Sequence, residues 1–104
     1  MHYLLSYEKA LDHAQREPPH QAAHRDHVRS ALSRGELVLG GPLLDPADGS
    51  NMLLFRADSA SAVEKFAKTD PYVTGGIITR WHIRPWQTVC GKGAECLLPD
   101  FKVQ

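Results

Sequence analysis

Ile77-Ile78-Thr79-Arg80-Trp81-His82-Ile83-Arg84-Pro85-Trp86 follows the turn-forming pair Gly75-Gly76 and is rich in β-branched and aromatic side chains. Within it Ile77, Thr79, Trp81 and Ile83 alternate with Ile78, Arg80, His82 and Arg84, the two-residue period of a strand with two distinct faces. Upstream, Asp58 or Ser59 can cap a helix whose Ala62, Val63, Phe66 and Ala67 recur at helical spacing, with Ser61 and Glu64 at capping-box separation. Pro71 disfavours helical geometry at Asp70, so that helix ends near Lys68 or Thr69 and leaves Asp70 on a turn, free to point into a cleft. Further back, Met52 to Phe55 reads as a strand, and Glu36 to Leu39 as another that ends in Gly40-Gly41-Pro42. The Asp, Pro, Gly and Ser of Asp45 to Ser50 join these two as a hairpin. A first helix runs from Pro19 to Arg34, opened by the preset φ of proline and closed by Gly35 as a left-handed cap. His2 to Tyr7 is the first strand. The order strand, helix, strand, strand, helix, strand predicts an α+β chain of the ferredoxin-like βαββαβ type: a four-stranded antiparallel sheet with two helices on one face.

The other sheet face also needs cover, because apolar or aromatic residues lie on both sides of these strands; a homodimer through the open face is the expectation. A chain of 104 residues suits one hydrophobic core. The strands and helices define a domain over 1–86. Residues 87–104 read as a C-terminal extension in which Leu97, Leu98, Phe101 and Val103 show no periodicity. Twelve basic and twelve acidic residues cancel, and no Lys/Arg cluster is interleaved with aromatics, so neither nucleic acid nor an anionic membrane is an expected partner. Tyr3-Leu4-Leu5 meets polar residues too soon for a signal peptide or a spanning helix, which suggests a cytoplasmic protein with Cys90 and Cys96 as thiols.

At about 100° per residue, Ala23, His24, His27, Val28, Ala31 and Leu32 share one side of the first helix. His24 lies in the middle of that apolar side, where an imidazole must find a hydrogen-bond partner or line a cavity. The helix alone leaves open a core histidine bonded to a backbone carbonyl. His20, His24 and His27 also stand at i, i+4 and i+7, a spacing from which a transition metal can draw ligands. His82 reads as an interface histidine, and Cys90 and Cys96 match no zinc spacing. Neither a Gly-rich phosphate loop nor a Gly-x-Ser-x-Gly elbow occurs, so dinucleotide and serine-hydrolase chemistry find no support and no cofactor is expected.

Several landmarks occur together: His24 in its helix, Gly41-Pro42, Gly49-Ser50, Phe66, Asp70-Pro71-Tyr72, Gly75 and Ile83-Arg84-Pro85. Over His2 to Trp86 the chain resembles the YCII-related family. The resemblance implies a dimeric α+β barrel of ferredoxin-like subunits, with an active site built on a histidine and an aspartate, here His24 and Asp70. It also implies kinship with chloromuconolactone dehalogenases and dehydrochlorinases. A carboxylate that accepts from one imidazole nitrogen fixes the tautomer and raises the basicity of the other, and an ordinary imidazole, with a pKa of about 6.5, is a competent base near neutrality. The expectation is then a cofactor-independent lyase- or isomerase-like enzyme acting on a small oxygenated ring compound. In it His24 takes the proton, Asp70 orients it, Gly41, Pro42, Ser50 and Tyr72 line the substrate site, and Ser50 or N–H groups near Gly41 hold developing charge. Ser50 reads first as a turn residue after Gly49, and Tyr72 equally as a core aromatic. A non-catalytic ligand-binding module stands as the alternative.

Overall fold

The computed structural model describes residues 1–101; Val103 lies outside the described residues. Strand β1 spans His2–Lys9, followed by a one-turn helix α1 at His13–Arg16, a 3-10 turn at Pro18–His20, and helix α2 at Gln21–Ser33. Strands β2 (Leu37–Pro42) and β3 (Asn51–Arg56) form the hairpin. Helix α3 (Ala60–Thr69), the one-turn α4 (Pro71–Thr74) and strand β4 (Ile78–Trp86) complete the ferredoxin-like unit. The sheet order is β2-β3-β1-β4 with every neighbouring pair antiparallel.

One face of the sheet carries the core. Tyr3, Leu5 and Tyr7 of β1, Leu53 and Phe55 of β3, Leu37 of β2 and Ile78 of β4 are all buried there. Val63, Phe66 and Ala67 of α3 cover them, with Phe55 and Phe66 meeting edge to face at 4.9 Å. Each fully buried Val, Leu or Phe contributes about 1.5–3 kcal/mol of transfer free energy, so Val63 and Phe66 add two such increments at the α3–sheet contact. Helix α2 ends as its sequence predicts: Gly35 takes φ +76°, its N–H reaches the Leu32 carbonyl, and Glu36 N–H reaches Ala31, the paired bonds of a Schellman cap.

Three expectations change in detail. Strand β2 does not stop before its glycines but runs through Gly40, Gly41 and Pro42, which pair with Leu53, Met52 and Asn51. A register shift at Glu8/Lys9 pairs Lys9 with Ile78 and buries Ile77 and Ile78 together, so the alternation of β4 is reset before Trp81 and Ile83 turn inward. Ser59 is the N-cap of α3, which places Ser61 inside the helix; the Ser61/Glu64 capping box does not form. The polar stretch before Pro18 holds one helical turn.

Among the described residues the opposite sheet face is only partly covered. Leu4, Met52 and Leu54 are half-buried on it, while Leu39, paired with Leu54, is 66% exposed and Trp86 45%. The C-terminal extension folds back onto one end of the sheet: Thr88 hydrogen-bonds to buried His2 at 2.7 Å, and Arg56 meets Glu95 at 2.9 Å and the Gly93 carbonyl at 3.0 Å. No helix among the described residues is long and apolar enough to cross a membrane.

Candidate active site

Pro71 ends α3 at Thr69 and sets Asp70 at φ −66°, ψ 124°, the extended geometry expected of a residue before proline. That conformation makes Asp70 the N-cap of α4, where its Oδ1 accepts the Tyr72 N–H at 2.9 Å. The side chain does not point into an open cleft. It is fully buried, because the same turn aims it back beneath α2 and onto β1. There Oδ2 accepts the Tyr7 hydroxyl at 2.9 Å and Oδ1 accepts from His24 Nδ1 at 2.8 Å. Burial, followed by the adjacent Asp70 charge, pushes the Tyr7 phenol far above its ordinary range, so Tyr7 acts only as a donor. Tyr7 O–H and Tyr72 N–H both donate to Asp70. As a carboxylate Asp70 can only accept, so Nδ1 of His24 is the donor of the bond between the two.

His24 is oriented a second time by packing. Its ring lies flat on Tyr72, with centroids 3.8 Å apart and planes 4° from parallel. The side chain keeps 21% of its surface exposed. That surface opens on two adjoining cavities, of about 370 Å³ toward β2 and about 700 Å³ toward α1 and the 43–49 loop. Lys9, His24, Val28, Asn51 and Tyr72 line both. Gly41 lines the smaller cavity and Pro42 the larger. Ser50 lines neither; it faces a separate depression with Ser6, Arg80 and His82, and its N–H bonds to Asp48 Oδ1 at 2.9 Å in a local turn.

A second carboxylate–imidazole pair stands at the mouth of the larger cavity. Glu17 accepts from His13 Nδ1 at 2.6 Å and from Lys9 Nζ at 3.1 Å. Burial pushes the Glu17 carboxyl up, but the bonds from His13 and Lys9 outweigh it and hold the group below the usual carboxylate range. The Tyr72 phenol is raised by burial and then by the Glu17 charge. Lys9 Nζ also lies 5.4 Å from the Tyr72 ring centre.

The sequence brought out His24, Asp70, Tyr72, Gly41 and Pro42, which the fold gathers around one site. It missed Tyr7, Lys9, His13, Glu17 and Asn51. Tyr7 had a signal: it shares strand parity with Tyr3 and Leu5, and a buried phenol needs a partner. The other four depend on how the 10–20 segment and the hairpin fold over the cavity. The three helix histidines do not converge. His27 Nε2 donates to the Phe66 carbonyl at 2.8 Å and stacks on that ring, while His24 is committed to Asp70. Among the described residues no group of three or more His, Cys, Asp or Glu side chains is placed to hold a metal ion.

The model of the YCII-related domain matches residues 1–87. No curated protein matches the chain in sequence. The solved structure of 5-chloro-2-hydroxyhydroquinone dehydrochlorinase (TftG) from Burkholderia phenoliruptrix, in complex with 2,5-dihydroxybenzoquinone, superposes with a TM-score of 0.72 at 22% identity, covering 91% of this chain and 100% of that one. Protein Atu4242 from Agrobacterium tumefaciens superposes with a TM-score of 0.54 at 11% identity, covering 93% and 100%. At these identities the likeness is one of fold.

Proposed function

The chain belongs to the YCII-related domain family, and on that basis we propose that it is a cofactor-independent enzyme in which His24 moves a proton on a small oxygenated ring compound while Asp70 orients it. The observation that carries the proposal is the 2.8 Å bond from His24 Nδ1 to a carboxylate with no exposure, which leaves Nε2 as the free nitrogen of a ring that lines both cavities. An imidazole whose tautomer is fixed by a buried acceptor and whose plane is fixed by stacking is preorganised to take a proton at its free nitrogen. The similar fold of a dehydrochlorinase supports elimination of HCl as the reaction class. In that step the base removes a ring C–H proton, the C–H pair forms the new double bond, and chloride leaves with the C–Cl pair. The balance needs no oxidant. Gly41, Pro42 and Tyr72 line the substrate's side of the site; Ser50 is better assigned to its turn.

Chlorinated hydroxyquinones and lactones, screened against wild type, His24→Ala and Asp70→Asn, test the reading. Turnover should fall about 10²–10⁴-fold without His24. Activity indifferent to both substitutions would overturn it.

The working form is a homodimer joined through the open sheet face, which carries half-buried Leu4, Met52 and Leu54 beside exposed Leu39 and Trp86. Sedimentation analysis should find a dimer that Leu54→Glu converts to monomer. A monomeric wild type at micromolar concentration would contradict it.

A further inference from the structure

Proton abstraction from an oxygenated ring leaves negative charge on the ring oxygen, and a competent site places a donor where that charge develops. Ser50, the side chain expected in that role, lies on another depression. Lys9 lines both cavities instead. It follows Tyr7 on the buried side of β1, at the register shift where β1 meets Ile78. The shift ends regular pairing just where the strand passes beneath the cavities, a common use of a bulge beside a site.

Three observations set Lys9 apart from a lysine that merely pairs on a surface. Its side chain is only 13% exposed. It lines both cavities, together with His24, Asn51 and Tyr72. Its ammonium carries three N–H donors, and Glu17 at 3.1 Å is its one hydrogen-bond partner among the described residues. The Tyr72 ring relates it to the base: His24 stacks at 3.8 Å and Lys9 Nζ stands 5.4 Å from the same centroid. Ammonium and imidazole are therefore no farther apart than those two distances laid end to end, within reach of one hydroxylated six-membered ring and its hydrogen bonds. Glu17, itself held by His13, takes one of the three ammonium donors.

We propose that Lys9 is the oxygen-holding residue of the site, binding the ionised ring oxygen of an acidic phenol or enol while His24 faces the ring's C–H. This rests on the reading of His24 as the base, and it narrows the substrate class to ring compounds that are anionic at, or on the way to, the transition state. Asn51, at the same neck, supplies a second polar contact; its Nδ2 already donates to the Gly49 carbonyl at 3.0 Å, which fixes the amide in place.

The test is a spectrophotometric titration of the full-length protein with 2,5-dihydroxybenzoquinone, whose acidic enolic hydroxyls make it an anion at neutral pH, beside hydroquinone, which is neutral there. Wild type should bind the anion more tightly than hydroquinone. Lys9→Met and Lys9→Gln should weaken the anion at least about tenfold and leave hydroquinone unchanged, while Lys9→Arg should retain most of the affinity. Thermal melts of the same proteins separate lost binding from lost folding, and Lys9→Gln keeps a donor for Glu17. Equal anion affinity in Lys9→Gln and wild type, equal binding of both rings by wild type, or no anion binding by wild type would each overturn the assignment. None of these results depends on His24 turnover, so the base reading stands or falls on its own experiment.

Discussion

Helices α2 and α3 lie on the same face of the same sheet and do opposite things. In α3, Val63, Phe66 and Ala67 are at most 2% exposed, an apolar stripe on a helix packed against β4, β1 and Phe55 of β3. In α2 Ala31 alone is buried; His24, His27 and Val28 are half-buried and Leu32 is 49% exposed. Where α3 presents a phenylalanine, α2 presents imidazoles that reach across to Asp70 and to the Phe66 carbonyl. A helix that stands off the sheet on polar contacts leaves room for a ligand; a helix that seals it supplies the rigidity those contacts need. Stability and chemistry are thus divided between two elements of similar length and equivalent topological place.

The division is broken most severely from the α3 side. Phe66→Ala should cost about 3–5 kcal/mol of unfolding free energy by opening a cavity beneath Phe55, read as a lower denaturant midpoint with nearly unchanged slope. On α2, His24→Ala should cost only about 1–2 kcal/mol, because Asp70 keeps Tyr7 and Tyr72 as donors and water enters from the cavity. A His24→Ala loss as large as that of Phe66→Ala would make α2 a core helix after all. The smallest effect is at the cavity mouth. Because the folded Glu17 carboxyl lies below its unfolded value of 4.5, its contribution is present above that pH and is lost as pH falls through the lower folded value. Wild type should therefore lose stability on acidification below about pH 4.5 by up to about 1 kcal/mol more than Glu17→Gln. Identical acid profiles would remove the Lys9–Glu17–His13 contact from the stability account.

Much of this was legible in the residues. Pro71 stopping a helix at Thr69, Gly35 closing another, and the alternation of β4 marked out the element order, since each is a local steric or periodic constraint. His24 stood out because a polar ring on an apolar side must be answered. The destination of Asp70 was not legible: proline set its backbone, but its direction depends on α4, a single turn too short to show periodicity. Lys9, His13 and Glu17 were hidden for a related reason, as their proximity arises from one helical turn and a 3-10 turn packed against a hairpin loop far along the chain. The reset of alternation at Ile77–Ile78 shows the same limit, because a bulge is a property of two strands together.

The central claim is that Asp70 fixes His24 as a base with its lone pair toward the cavity. Two-bond ¹H–¹⁵N correlation NMR of the imidazole rings, in wild type and Asp70→Asn, measures this directly. The account predicts that neutral His24 carries its proton on Nδ1, that Nε2 is unprotonated, and that this preference is lost in Asp70→Asn. A neutral His24 protonated at Nε2, or a tautomer indifferent to Asp70→Asn, would contradict it.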